Sequence, residues 1–237
     1  MKPPEPGRPL RFVSAASLFD GHDAAINMIR RLLQSGGAEV VHLGHNRSVA
    51  DIVRAAIAED ADAIAVSSYQ GGHNEYFRYM IDMLRELGAA HIRVVVGGGG
   101  TISPGEIAEL EAYGVAKIYT PEDGRRLGLT GMIDDVFARV GRRSQVDANP
   151  GIPSVDDHGA IAHAITLLEG GGHRDDNSDG SGADDLRRQL SATVSPQRAP
   201  VIGLTGTGGA GKSSLTDELL QRVLRQFPER HVAVVAI

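Results

Sequence analysis

From Leu10 to about Val140 the chain alternates five short runs rich in β-branched and apolar residues with stretches whose apolar residues recur at helical spacing, and this alternation constrains the fold more than any other feature. The runs are 10–15, 38–42, 63–67, 92–96 and 115–119. Between them Ile26, Ile29, Leu32 and Leu33 share a helical face, as do Val49, Ile52, Val53, Ala56 and Ile57, and then Phe77, Met80, Ile81 and Leu84. A strand–helix repeat of this kind predicts an α/β domain with a doubly wound, five-stranded parallel sheet. With right-handed crossovers the expected order is 2-1-3-4-5, of the flavodoxin-like or Rossmann type. A ligand should then gather at the carboxyl ends of strands one and three, where the winding reverses.

Composition removes several function classes. The absence of cysteine excludes disulfides, zinc ribbons and thiolate catalysis, and leaves nine histidines as nitrogen ligands. The net charge of -6, with Lys and Arg scattered among acids, offers no basic stripe for nucleic acid. No run approaches the roughly 18 apolar residues of a membrane span, and MKPPEPGRPLRF lacks a signal-peptide segment, so the expected location is the cytoplasm.

After Arg143 the character changes. Residues 143–199 are rich in Gly, Asp, Ser and Pro, with GGGHRDDNSDGSGADD at the centre, and read as a linker carrying short helices near 160–168 and 183–190. From residue 200 to 237 order returns as a strand (VIGL), a glycine-rich loop, a helix over 214–227 and a second strand (VAVVAI), the first β-α-β unit of a P-loop domain. One such unit lacks the later acidic strand end and the base-recognition loop of a working hydrolase, so 200–237 is expected to be an incomplete fragment. Residues 1–142 then form the first domain.

Two sites follow from this layout. Asp20, Gly21 and His22 come directly after strand one, at the switch-point edge. An imidazole ligand needs one nitrogen for the metal and a fixed partner for the other, and a carboxylate two residues earlier can be that partner. By itself Asp-x-His is an ordinary polar turn. The other strand ends change the reading: strand three ends in Ser67-Ser68-Tyr69 and strand four in Gly97, Gly98, Gly99 and Gly100, and missing Cβ atoms there admit a bulky ligand against the backbone. His42 and His45 read as ordinary polar loop residues, and His73 stands near enough to be a pocket candidate. The second site is Gly206-Thr207-Gly208-Gly209-Ala210-Gly211-Lys212-Ser213, followed by Ser214, which satisfies G-x-x-x-x-G-K-[ST] between a strand and a helix. Its backbone N–H groups would cradle phosphates, Lys212 would reach the β and γ oxygens, and Ser213 would ligate Mg²⁺.

Asp20-Gly21-His22, Ser67-Ser68-Tyr69 and the glycine run resemble the Asp-x-His-x-x-Gly, Ser-x-Leu and Gly-Gly pattern of the cobalamin-binding domain in the methylmalonyl-CoA mutase family. Ala25 stands for the family glycine and Tyr69 for the leucine, which implies altered packing near the ligand. The resemblance implies His22 as lower axial ligand of cobalt in place of the cofactor's benzimidazole, and Asp20 on the far imidazole nitrogen. It places the displaced tail beside Ser67, Tyr69, Gly98 and Gly99, with Thr120 a further contact. With the P-loop appended, the chain is similar to the fused isobutyryl-CoA mutases, in which a G-protein chaperone lies between the cobalamin domain and a substrate barrel. That resemblance implies an adenosylcobalamin-dependent acyl-CoA isomerase using GTP and Mg²⁺, homodimeric at full length. Its substrate barrel would lie elsewhere, and no residue of this stretch would be catalytic.

The same Asp-x-His loop also serves corrinoid carriers for methyl transfer. These usually have a helical bundle before the sheet, and about nine residues precede strand one here. A signalling receiver domain has this strand order too, but needs an acidic phosphoacceptor where Ser67 stands.

Overall fold

The computed structural model describes residues 8–21, 23–98, 100–141, 151–170, 181–194 and 199–235. They fall into two units, Met1–Thr193 and Val194–Ile237.

In the first unit β1 (Arg11–Ser17), β2 (Glu39–Arg47), β3 (Ala63–Ser67), β4 (Arg93–Gly97) and β5 (Lys117–Tyr119) form one parallel sheet in the predicted order, β2-β1-β3-β4-β5. The crossovers are α1 (Asp23–Ser35), α2 (Val49–Ala58), α3 (His73–Glu86), α4 (Pro104–Tyr113) and α5 (Pro121–Val140). Side chains alternate along each strand, so the sheet has two cores. Val13, Ala15, Ile64, Val66, Val94 and Val96 pack with Ile52, Phe77, Met80 and Leu84 of α2 and α3. Phe12, Ala63, Ala65, Val95 and Tyr119 pack with Leu33, Ile133 and Val136 of α1 and α5.

The helices on the carboxyl edge start where their sequences dictate. Ser103 and Thr120 each close a capping box, with Glu106 and Asp123 respectively, and a proline follows each cap where a missing N–H costs nothing. Two features depart from the periodic reading. β2 runs past His42 to Arg47 through a register shift, with Gly44 at φ 83° and Asn46 at φ 55°. α5 bends at Gly128, whose φ of 66° and ψ of 171° interrupt the helix.

The short helices expected between the domains are α6 (His158–Gly170) and α7 (Ser181–Thr193). Within the first unit α6 packs on α2 and α7 packs on α6. Ala162, Ala164, Thr166, Ala183 and Leu186 are buried there. Polar contacts fix the seat: His163 Nδ1 lies 3.3 Å from Asp60 Oδ2, and Arg11 donates to the Glu59 carbonyl at 2.7 Å and the Thr166 hydroxyl at 3.3 Å. These groups sit at the start of β1 and just before β3, on the amino edge of the sheet.

In the second unit α8 (Lys212–Gln226) follows the glycine loop. Residues 201–204 and 232–235, which read as strands, carry no strand pairing among the described residues, and residues 236–237 lie outside them. Val201 is 94% and Val235 83% exposed, so neither run has the ladder or the covering layer that defines a buried strand. Among the described residues no helix is long and apolar enough to cross a membrane.

If α7 is an integral part of the first unit, removing its fully buried anchor should be felt by the whole unit. Leu186→Ala is expected to lower unfolding free energy by about 2–4 kcal/mol, read from the urea midpoint of the main transition. An unchanged midpoint would show that α7 contributes nothing to that transition.

Candidate functional site

Because β1 and β3 are neighbours whose crossovers leave on opposite faces, the loops after them diverge and open a cleft at the carboxyl edge. The two loops are joined by Asp20. Its carboxylate is fully buried, and Oδ2 accepts the backbone N–H of Tyr69 at 2.8 Å, while its own N–H donates to the Ser17 carbonyl at 3.0 Å. A carboxylate held this way is positioned by the strand ends rather than by solvent.

Beside this bridge lies a cavity of about 400 Å³, walled by α1 and α5 and floored by the ends of β3, β4 and β5. The register explains its shape. Ser67, Gly97 and Tyr119 form one row across the three strands, and at the middle position no side chain fills the notch. A Cβ on Gly97 would meet nothing within 4 Å. Gly98 is different: a Cβ there would come within 2.8 Å of Ile102 Cδ1 and 3.1 Å of the Ser68 carbonyl, so this glycine is demanded by local packing as well. Ile26, Met28 and Ile29 from α1 and Leu129, Met132 and Val136 from α5 make the walls apolar.

Polar groups in the cavity are few. The Ser67 hydroxyl is buried without a hydrogen-bond partner among the described residues, which marks a place where a ligand atom would be welcome. Thr120 lines the cavity, but its hydroxyl already donates to Asp123 Oδ2 at 3.0 Å and accepts the Asp123 N–H at 3.1 Å. Tyr119 donates its hydroxyl to Asp135 Oδ2 at 2.8 Å, and the same oxygen accepts from Arg139 Nε at 2.7 Å. Burial, then the Asp135 hydrogen bond, hold the Tyr119 phenol far above its ordinary range. For Asp135 burial works to raise the pKa, but the hydrogen bonds from Arg139 and Tyr119 win and hold it below the usual carboxylate value.

Of the predicted site residues, Ser67, Tyr69, Gly98 and Thr120 line this one cavity. Asp20 lies beside it through its bond to Tyr69, and Gly21 is exposed at the end of the same loop. His22 and Gly99 lie outside the described residues. His73 does not reach the cavity: it is buried with Nε2 3.2 Å from Glu106 Oε1 on α4, a helix-to-helix polar contact. His42 faces the Ser14 hydroxyl at 2.9 Å. Tyr119 and the α5 wall escaped the sequence reading, although Met132, Ile133 and Val136 carry the helical spacing that could have exposed them.

The glycine loop of the second unit has the geometry of an anion cradle. Gly209 (φ 76°) and Gly211 (φ 80°) adopt left-handed conformations that other residues resist, and Gly211 caps the amino end of α8. Gly206, Gly208 and Ala210 complete the turn, where the Ala210 N–H reaches the Thr207 carbonyl at 3.3 Å. Lys212 Nζ folds back onto the carbonyls of Gly206 at 2.6 Å and Thr207 at 2.9 Å, while Ser213 and Ser214 are exposed on the first turn.

A doubly wound parallel sheet with an apolar cavity at its switch point, followed by a glycine loop at a helix start, defines a ligand-binding α/β protein, and sequence comparison supplies the family. Residues 10–124 match the B12 binding domain, and residues 161–237 match the methylmalonyl Co-A mutase-associated GTPase MeaB. The chain is 32% identical over 118 residues to the pivalyl-CoA mutase small subunit of Xanthobacter autotrophicus, covering 50% of this chain and 78% of that protein. It is 52% identical over 235 residues to the fused isobutyryl-CoA mutase of Geobacillus kaustophilus, covering 98% of this chain and 21% of that protein. The enzyme of the same name from Cupriavidus metallidurans is 53% identical over 248 residues, with 100% and 22% covered. The chain belongs to the B12-binding family of acyl-CoA mutases, and within it to the fused isobutyryl-CoA mutases, of whose length it spans about a fifth. The GTPase match sets it apart from a methyl-transfer carrier.

The Tyr119–Asp135–Arg139 chain under the cavity floor makes a pH prediction. A carboxylate whose folded pKa is depressed stabilises the fold above its unfolded value, near 3.9, and that contribution is lost as pH falls through the folded value. Wild-type stability should therefore decline as pH drops from about 5 to 2 more steeply than that of Asp135→Asn, read from urea midpoints across the series. Parallel curves would remove Asp135 from the account.

Proposed function

We propose that this chain is the corrinoid-holding part of an adenosylcobalamin-dependent carbon-skeleton isomerase of the isobutyryl-CoA/n-butyryl-CoA type, working in the cytoplasm as a homodimer. The observation that carries this reading is the cavity at the switch point, open at Gly97 and offering the unpartnered Ser67 hydroxyl at its floor. Its apolar walls suit the flat, methylated benzimidazole of a displaced cobalamin tail. Tyr69 and Gly98 line the cavity, and neither Gly98 nor Gly99 adds a side chain to the loop after strand four.

His22, two residues after the buried Asp20, is the lower cobalt ligand in this reading, with Asp20 fixing the tautomer and orientation of the imidazole. Adenosylcobalamin held here would supply carbon-radical chemistry. The residues described here bind and orient, while the acyl-CoA site belongs to another part of the protein. Domain limits of 1–142, 143–199 and 200–237 fit this division by composition, with α6 and α7 packed on the first domain rather than free between the two. The glycine loop takes GTP, Lys212 reaches its terminal phosphates and Ser213 ligates Mg²⁺, so that hydrolysis serves a chaperone role in cofactor loading.

Visible spectroscopy tests the cobalt assignment. With the 237-residue chain, cobalamin should give a base-off, histidine-ligated spectrum that His22→Ala loses, and identical spectra from the two proteins would overturn it. Gly97→Ala should place a methyl group in the notch without a clash, so thermal stability should hold while cobalamin binding weakens about tenfold, a cost of ~1.4 kcal/mol. In the full-length enzyme Lys212→Ala is expected to abolish GTP hydrolysis and leave the cobalamin spectrum unchanged. Retained hydrolysis would count against the P-loop role.

A further inference from the structure

The loop that precedes residue 22 is built from strained parts. Phe19 has a φ of 65°, a left-handed conformation that a bulky residue rarely adopts, and the residue is 79% exposed, so burial of its side chain does not explain the strain. Such conformations persist where the surroundings over-determine them, and they cluster at functional sites.

Two elements supply the determination. β2 continues past its register shift until Arg47 pairs with Ser17, which brings Asn46 alongside the end of β1. Asn46 is itself left-handed, at φ 55°, a state its side chain tolerates, and its Oδ1 accepts the Phe19 N–H at 2.9 Å. From the first turn of α3, the Tyr76 hydroxyl donates to the Arg47 carbonyl at 2.7 Å. One phenol therefore ties α3 to the extended end of β2, next to the residue whose side chain holds Phe19. The Tyr76 ring is held independently, edge-on to Phe77 with centroids 5.4 Å apart and packed against the core. Residues 19 and 20 are thus each tied to a different element: β2 and, through Asp20, the loop after β3.

We propose that Tyr76 and Asn46 are positioning residues for corrinoid binding, holding residues 19 and 20 of the β1–α1 loop in their strained shape before the corrinoid arrives. This inference rests on the corrinoid reading above. Neither residue touches the cofactor in it; Asn46 acts through the backbone of residue 19, and Tyr76 through the end of β2 that carries Asn46. Pre-forming the loop removes an ordering cost that binding would otherwise bear.

The test uses the 237-residue chain with cobalamin, Tyr76→Phe to remove the hydroxyl alone, and Asn46→Gly to remove the acceptor while keeping the left-handed backbone. Each variant should bind cobalamin roughly fivefold or more weakly, the loss expected for one hydrogen bond. A smaller share of the bound corrinoid should also show the histidine-ligated spectrum. Tyr113→Phe, whose hydroxyl instead meets Asp82 at 2.9 Å on the far part of α3, serves as the control and should match wild type in both readouts. A lowered melting temperature with wild-type affinity and a wild-type spectrum would mean that Tyr76 and Asn46 are structural alone, and would overturn the proposal. If Tyr76→Phe fails to fold, Asn46→Gly, at an exposed position, decides the question by the same two readouts. A wild type indistinguishable from His22→Ala would instead sink the corrinoid reading itself, and this proposal with it.

Discussion

A single hydrogen bond spans the point where this sheet changes its winding: the buried carboxylate of Asp20 to the backbone N–H of Tyr69, at 2.8 Å. β1 and β3 lie side by side, yet their following helices leave on opposite faces, so nothing in the sheet itself fixes the two loops to each other. A charge-assisted bond from a fully buried acceptor does so, and it fixes the register of both loops at once. The rest of the edge depends on this constraint, because the cavity floor and the ligand loop meet there. Losing it would leave a buried carboxylate and a backbone donor short of a partner, which costs far more than the net value of the bond.

The cavity is a consequence of residue size in one row of the sheet. Ser67, Gly97 and Tyr119 are in register, and small residues at the first two positions leave a notch that Tyr119 closes on one side. The Tyr119 hydroxyl is anchored outside the cavity by Asp135 and Arg139, so the ring stands as a fixed wall. The bend at Gly128 separates the start of α5, capped by Thr120 at the sheet edge, from the stretch carrying Leu129, Met132 and Val136 to the opposite wall. Sheet and helix thus contribute different qualities: the strand ends give shape and one hydroxyl, and the helices give apolar surface.

Much of this was legible in the sequence, and the parts that were not share a cause. Strands buried on both faces announce themselves as apolar runs, which is why 63–67 was read with the limits the structure gives it, and the strand order followed from handedness. The extension of β2 through His45, Asn46 and Arg47 carries no such signal, because those residues are exposed and pair along one edge only. Ser67, Tyr69, Gly97, Gly98 and Thr120 were legible through a motif, whereas Tyr119 owes its role to registration across strands, which a linear pattern does not contain. His73 misled for the same reason: its position after strand three is right, but the helix turns its ring toward Glu106. The runs at 201–204 and 232–235 have strand composition, and composition supplies no partner for the ladder.

Glycine plays two unlike parts in the two sites, and the difference separates what each must bind. At Gly97 the absent Cβ is space: the backbone is ordinary strand, and no protein atom lies within 4 Å of where a Cβ would stand. At Gly209 and Gly211 the absent Cβ is freedom: the left-handed turns aim successive backbone N–H groups inward at the head of α8, where compact negative charge is favoured. Adding a methyl group should therefore act differently in the two places. At Gly97 it competes with the ligand and leaves the fold alone, while at Gly211 it strains the turn whether or not a phosphate is near. The physical requirement at the sheet edge is volume, and at the loop it is backbone direction.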